Sequence, residues 1–232
     1  MVRKKKRACK SIIALMLTIF AYLIPLHAQD EDDEPEKVNA NLGTMVTFPV
    51  SPTAQFTNIG WGIVAGAGYN FNERHALVGE FMWNRLYATD EALQPLRAVS
   101  PSNPIDGHSD LYAVTGNYRF EVRGKKYGAY LIGGGGWYHR VTSLTRQVAS
   151  GSGTACVGAW RWWGYTCVAG AVSVNQTLES NSSNAFGGNG GVGFTVKVGE
   201  PRYRFYVEVR YHYAPHQNVS TQVLPITIGI RY

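Results

Sequence analysis

The sequence predicts an all-β chain: an eight-stranded antiparallel transmembrane β-barrel with long extracellular loops, preceded by a cleaved signal peptide. Three observations carry that expectation. The 232-residue chain ends in two segments of strict period-two alternation, Arg204–Tyr213 and Leu224–Tyr232. It opens on a basic and then apolar stretch laid out like an export signal. Beyond that stretch no apolar run approaches the ~20 residues that a spanning helix needs.

The last hairpin shows the pattern most clearly. Phe205, Val207, Val209, Tyr211 and Tyr213 alternate with Arg204, Tyr206, Glu208, Arg210 and His212. Leu224, Ile226, Ile228, Ile230 and Tyr232 then alternate with Pro225, Thr227, Gly229 and Arg231. Successive side chains of a strand point to opposite faces, so each segment is two-faced β-structure. A soluble sandwich would turn its polar face to water and would seldom set so many large residues there. In a membrane barrel the apolar face meets lipid and the polar face fills the lumen. A chain that crosses lipid without spanning helices must also close its sheet, because every backbone group there needs an internal partner.

The N-terminus agrees. Arg3-Lys4-Lys5-Lys6-Arg7 is followed by an apolar run from Ser11 to Leu26 and by Ala28, a small residue suited to cleavage. Removing residues 1–28 takes away six basic and no acidic residues, leaving 16 of each sign. The sequence pI near 9.2 thus belongs to the signal and carries no implication of nucleic acid. Cys9 leaves with it, and Cys156 and Cys167 remain as an even pair in an exported chain, which reads as a disulfide. Two cysteines alone cannot close a metal site. The expected organisation is signal peptide over 1–28, acidic disordered periplasmic leader over 29–41 (Asp30-Glu31-Asp32-Asp33-Glu34-Pro35-Glu36), and barrel over 42–232.

Eight alternating segments follow in order: Leu42–Val50, Trp61–Phe71, Ala76–Tyr87, Leu111–Phe120, Tyr127–Val141, Ala185–Val198, and the two of the closing hairpin. Short turns at Asn72-Glu73-Arg74, Arg123–Lys126 and Gly199–Arg202 alternate with longer connections, of which residues 88–109 and about 147–184 read as long loops. An even strand count with alternating short and long connections is what bacterial barrels show. Aromatic residues gather near both ends of the strands, as two interfacial belts require.

With this strand pattern, this loop parity and the terminal Ile228-Gly229-Ile230-Arg231-Tyr232, the chain resembles the small eight-stranded outer-membrane barrels of the OmpA transmembrane-domain and OmpX type, over about residues 40–232. The resemblance implies a Gram-negative outer-membrane location and insertion by the barrel-assembly machinery, which reads a signal ending on Tyr232. It implies contact with outer-membrane lipid and lipopolysaccharide, and salt bridges that plug the lumen. The peptidoglycan-binding domain of some relatives is expected to be absent, since the sequence ends at Tyr232.

Glu80, Arg119, Lys197, Glu208, Arg210 and Arg231 all fall on inward faces. An eight-stranded barrel is only wide enough to be filled by side chains, so a structural ion-pair network is the expected role. Gly188-Asn189-Gly190-Gly191-Val192-Gly193 matches a dinucleotide fingerprint but lies in an alternating strand with no helix after it, which argues for close packing instead. Some eight-stranded barrels are lipid A-modifying enzymes, and His108-Ser109-Asp110 and His139 lie near the outer rim. No His-x-Ser spacing occurs, however. Trp160, Trp162 and Trp163, enclosed by Cys156 and Cys167, suggest either contact with a partner or a self-packed loop. The sequence therefore predicts a barrel with no cofactor and no catalysis, in a structural role or binding an extracellular ligand through its loops. A small passive pore and a lipid A-modifying enzyme are the alternatives.

Cleavage after Ala28 predicts that the protein purified from outer membranes begins at Gln29 or within a few residues of it. Intact-mass spectrometry checks this, and a full-length chain held in the inner membrane would contradict it.

Overall fold

A computed structural model of the chain describes residues 37–99, 105–159, 164–198, 203–216 and 219–232. The signal peptide and residues 29–36 of the expected leader lie outside the described residues. Eight strands run in chain order: β1 (Val38–Pro49), β2 (Gly60–Asn70), β3 (His75–Tyr87), β4 (Ile105–Arg123), β5 (Tyr127–Ala159), β6 (Gly164–Lys197), β7 (Arg204–Ala214) and β8 (Thr221–Arg231). Each pairs antiparallel with its neighbour, and β1 pairs with β8 from Asn41↔Arg231 to Pro49↔Val223, closing the barrel. Ala40 and Tyr232 extend the seam by exchanging two backbone hydrogen bonds of 3.0 and 2.9 Å. Closure leaves no edge within the ring, so its backbone groups are satisfied in lipid.

The two faces fall where the alternation puts them. Leu42, Val46, Phe48, Ile228 and Ile230 are exposed, whereas Asn41, Met45, Thr47, Thr227 and Arg231 are buried. The outward stripe continues round the ring through Ile63, Phe81, Val114, Leu131, Phe194 and Val207. A lipid-facing band and a polar interior thus arise from one pleat.

Three connections differ from the sequence expectation. β1 starts at Val38, so residues 38–41 belong to the sheet and not to the leader. Their inward side chains, Asn39 and Asn41, are polar because the lumen is polar, and a polar stretch beside an acidic run reads as leader. Residues 88–109 are not all loop: α1 (Asp90–Val99) and the first residues of β4 lie there. Ala92 N–H donates to Thr89 Oγ1 at 3.2 Å, and Asp90 and Glu91 occupy the first turn. A cap and acidic first turn stabilise a helix start. Pro95, inside α1, masks the helical character in the sequence.

The third difference is the largest. Residues 147–184, expected as a loop, continue β5 and β6 as a paired ribbon out to Ala159↔Gly164. β4 stops pairing with β5 at Ile105↔Arg146, and β6 meets β7 only from Gly188↔Tyr213. Between those limits the two strands pair only with each other among the described residues. Glycine, serine and alanine dilute the alternation here, but backbone pairing needs no apolar stripe. Register shifts at Leu144/Thr145 and Ala149/Ser152 interrupt the ladder, and such bulges increase the local twist.

Glycines admit large rings to the lumen. Gly193 lies directly across from Tyr130 and Gly229 across from Tyr206, and a Cβ at either would run into the tyrosine ring. Tyr130 and Tyr206 are each 1% exposed, so neither ring has room to retreat. Gly190 faces out, with nothing near the position of its absent Cβ. Gly193→Ala is therefore expected to cost about 1–3 kcal/mol through overpacking, and Gly193→Val to prevent assembly. Gly190→Ala should assemble normally. Migration of unboiled against boiled protein on denaturing gels tests the contrast.

Candidate functional site

The interior holds two stacked charged layers. In the first, Arg210 reaches from β7 to Glu80 on β3 and also pairs with Glu208 two residues away on its own strand. Arg210 Nη2 lies 2.6 Å from Glu208 Oε1, and Arg210 Nη1 lies 2.5 Å from Glu80 Oε2. β3 and β7 stand four strands apart in a ring of eight, so the bridge crosses the full lumen. Glu80 also accepts from Asn41 at 3.0 Å and Asn117 at 2.7 Å, and Glu208 accepts from the Tyr130 hydroxyl at 2.8 Å. Asn189 completes the layer by donating to Asn117 at 2.9 Å.

The second layer lies towards the short turns and centres on Glu121. Arg119, Arg123 and Arg231 approach its carboxylate at 3.5, 3.1 and 3.3 Å, and Thr195 donates to it at 3.3 Å. The Arg231 guanidinium carbon sits 4.6 Å from the Tyr130 ring centre and 5.1 Å from that of Tyr206. Flat cations are attracted to such ring faces. Of the six lumen residues expected from sequence, Glu80, Glu208 and Arg210 thus meet in one cluster. Arg119 and Arg231 meet in another, and Lys197 makes no ion pair among the described residues. Glu121, the hub of the second cluster, escapes the sequence reading because that alternating segment stops at Phe120. Its parity with Arg119 is the available signal.

At the other end, Arg85 holds Asp110 through two hydrogen bonds of 2.8 Å, with His108 Nε2 at 3.7 Å from the same carboxylate. The Ser109 hydroxyl bonds Thr142 at 3.3 Å. His139 bonds the Asn184 side chain at 2.7 Å and stacks on Trp137. The structure brings together one serine and histidine that sequence spacing does not reveal, Ser183 and His216, at 3.1 Å. Burial, aided by the Arg140 and His139 charges, pushes His216 down to about 4, so its imidazole is neutral at physiological pH. Its Nε2 has no hydrogen-bond partner among the described residues, and so no carboxylate among them orients the ring.

Beneath α1 lies an apolar cavity of about 300 Å³ lined by Phe56, Leu86, Leu93, Leu111 and Leu144, with Arg140 in its wall. Arg140 donates to the Val219 carbonyl and the Thr221 hydroxyl, both at 3.1 Å. Farther out, the ribbon register sets Cys156 directly opposite Cys167. Trp160, Trp162 and Trp163 lie outside the described residues. The glycine-rich match at 188–193 lies wholly inside β6, with no helix following it.

A closed eight-stranded barrel with a lipid-facing girdle and a charged, filled interior is a transmembrane barrel by construction. The chain matches the outer membrane protein beta-barrel domain family over residues 12–231 and belongs to that family. It is accordingly a Gram-negative outer-membrane protein. Among solved structures it is similar to Ail, the attachment invasion locus protein of Yersinia pestis, at 15% identity over 84% of this chain and 97% of that one, with a TM-score of 0.48. Neisserial surface protein A is similar at 13% identity over 84% and 94%, with a TM-score of 0.45. A major outer membrane protein of Thermus thermophilus is similar at 8% identity over 84% and 98%, with a TM-score of 0.44. No curated protein matches the chain.

Removing Arg210 would strand two buried carboxylates. Arg210→Met is expected to destabilise the barrel by about 3–5 kcal/mol. Asp90→Asn, which breaks the exposed Asp90–Arg97 pair, should cost no more than about 1 kcal/mol. Urea unfolding in lipid vesicles measures both, and equal losses would show that the cross-lumen pair is not what holds the interior.

Proposed function

We propose that this outer-membrane barrel is a closed anchor acting through its outward end, in a structural or surface-interaction role without catalysis or cofactor. The observation that carries the reading is the β5–β6 ribbon, which rises past every other strand and presents two strand edges with no partner among the described residues. Exposed edges of this kind accept extended partners, and a ribbon also offers its two faces.

The facing cysteines fit this role. Directly opposed residues in an antiparallel ladder have Cα atoms about 4.5–5.5 Å apart, within the ~4.4–6.8 Å range of a disulfide. Oxidation of Cys156 with Cys167 would fasten the ribbon tip and reduce the entropy lost when Trp160, Trp162 and Trp163 meet a partner. Lipid and lipopolysaccharide surround the girdle, and the barrel-assembly machinery reads the strand ending on Tyr232. The two ion-paired layers favour a plugged lumen over a passive pore, because an ion entering would have to displace a paired charge. A lipid A-modifying activity is disfavoured at the rim: Asp110 is committed to Arg85, and Ser183–His216 has no carboxylate behind it among the described residues.

Excising Gly151–Ala169 tests the reading. The shortened barrel should keep its heat-modifiable migration and its insertion, and should lose the binding that the intact protein shows to glycan and protein arrays. Failure to assemble would make the ribbon structural and remove the main support for a surface role. Unitary conductance in planar bilayers would favour the pore instead.

A further inference from the structure

We propose that the short-turn end of the lumen is a carboxylate-binding cage whose occupant is the chain's own acidic segment, Asp30–Glu36. Five cations face inward there: Arg119 and Arg123 from β4, Lys197 from β6, Arg204 from β7 and Arg231 from β8. The register sets Lys197 beside Arg204 and Arg204 beside Arg231. Among the described inward side chains one carboxylate stands against them, Glu121, already shared among three arginines. Glu208, the nearest acid of the other layer, is held by Arg210 and Tyr130.

The cage is built, and its donors are not used up. Arg119 and Arg231 are 1% and 4% exposed; Arg119 Nε faces Glu121 at 3.5 Å without a hydrogen bond, and Arg231 Nε makes none among the described residues. Arg123 Nε and Arg204 Nη1 are likewise buried without a hydrogen-bond partner among the described residues. Neither Lys197 nor Arg204 has an ion pair among the described residues. Like charges crowded where water is scarce are costly unless a counter-charge joins them. Guanidinium groups answer that need best with carboxylates, which they bind in pairs of charge-assisted hydrogen bonds.

The chain carries a matching counter-charge beside the opening. Asp30, Glu31, Asp32, Asp33, Glu34 and Glu36 put six carboxylates into seven residues. From Lys37 onward the protein has 16 basic and 10 acidic residues, so the barrel's excess of six equals the segment's charge. Lys37 is fixed at this same end, its carbonyl accepting the Asn70 N–H at 2.8 Å. Seven extended residues reach about 23 Å, ample to cross the mouth of a barrel only wide enough for side chains. A small anion such as phosphate would suit the same arginines. The tethered segment is favoured because its effective concentration at the cage is in the millimolar range.

The test uses the mature full-length protein in detergent and a water-soluble carbodiimide, which joins a carboxylate to an adjacent amine as an amide while the reagent takes up the water as a urea. Lys197 is the amine of the cage. Peptide mass spectrometry should find a link between residues 30–36 and Lys197 that disappears in Lys197→Arg and fades at high salt. Links to Lys125 and Lys126 of the exposed β4–β5 turn without one to Lys197 would overturn the proposal. In a second arm the six acids are replaced by their amides (Asp30→Asn, Glu31→Gln, Asp32→Asn, Asp33→Asn, Glu34→Gln and Glu36→Gln). Inorganic phosphate should raise the unfolding temperature of that variant and leave the intact protein unchanged. An equal response in the two would assign the cage to free anions and overturn the role of the segment.

Discussion

The interior depends on one bridge, Arg210 reaching across the lumen from β7 to Glu80 on β3. A barrel of eight strands has no room for bulk water inside, so a charge placed there must find its partners in the wall. Once Arg210 lies between Glu80 and Glu208, the leftover negative charge calls for donors, and Asn41, Asn117 and Tyr130 supply them. Those residues come from β1, β4 and β5. Asn189 draws in β6 through Asn117, and Asn70 brings β2 to Arg119 and Asn39. Arg231 of β8 rests against Tyr130. Every strand is thereby tied to the others through the middle as well as along its edges. The strand-facing glycines follow from the same need, since Tyr130 reaches Glu208 only by lying across Gly193.

Much of this is legible in the sequence, and what is not has a common cause. The faces of β7 and β8 can be read residue by residue because lipid demands an unbroken apolar stripe. The parity of Glu80, Glu208 and Arg210 follows from the same stripe. Legibility fails where lipid no longer imposes the pattern. Glu121 and Arg123 lie at the end of β4, either side of its last outward apolar residue, Val122, and next to Gly124-Lys125-Lys126, and so resemble turn residues. The outward half of β5 and β6 leaves the membrane altogether, so serine and glycine replace leucine and isoleucine while the backbone pairing goes on. Ser183 and His216 lie just beyond the last paired residues of the β6–β7 hairpin, 33 residues apart in the chain. Spacing rules do not see such contacts. The helix α1 is hidden by Pro95, although Thr89, Asp90 and Glu91 write its start in plain form.

The same division separates stability from activity. Strand surfaces between the two rims are committed, outward to lipid and inward to paired charge, and a substitution on either side is costly. Specific chemistry must therefore gather at the ends. The outward end offers the ribbon, the cavity beneath α1 with Arg140 in its wall, and the Ser183–His216 contact. The short-turn end gathers arginines around Glu121. Neither end resembles the other, which suits a molecule that faces two different compartments.

Closure of the ring links these features energetically. The β1–β8 seam runs from Pro49↔Val223 to the Ala40–Tyr232 backbone pair. Its last inward side chain is Arg231, which enters the lumen only when β8 docks. Docking β8 therefore does three things at once. It satisfies the backbone edges of β1 and β7, it delivers a cation to Glu121, and it slots that cation between the rings of Tyr130 and Tyr206. Before that step Glu121 has Arg119 and Arg123 from its own strand, and an open sheet lets water reach all three. Afterwards the layer is buried, and its pairing strengthens as the dielectric falls. The seam and the ion layer thus reinforce one another: an open seam would hydrate the charges, and an unpaired Arg231 would hold the seam apart. Coupling of this kind makes closure all-or-none, as a barrel with no tolerated half-open form in lipid requires.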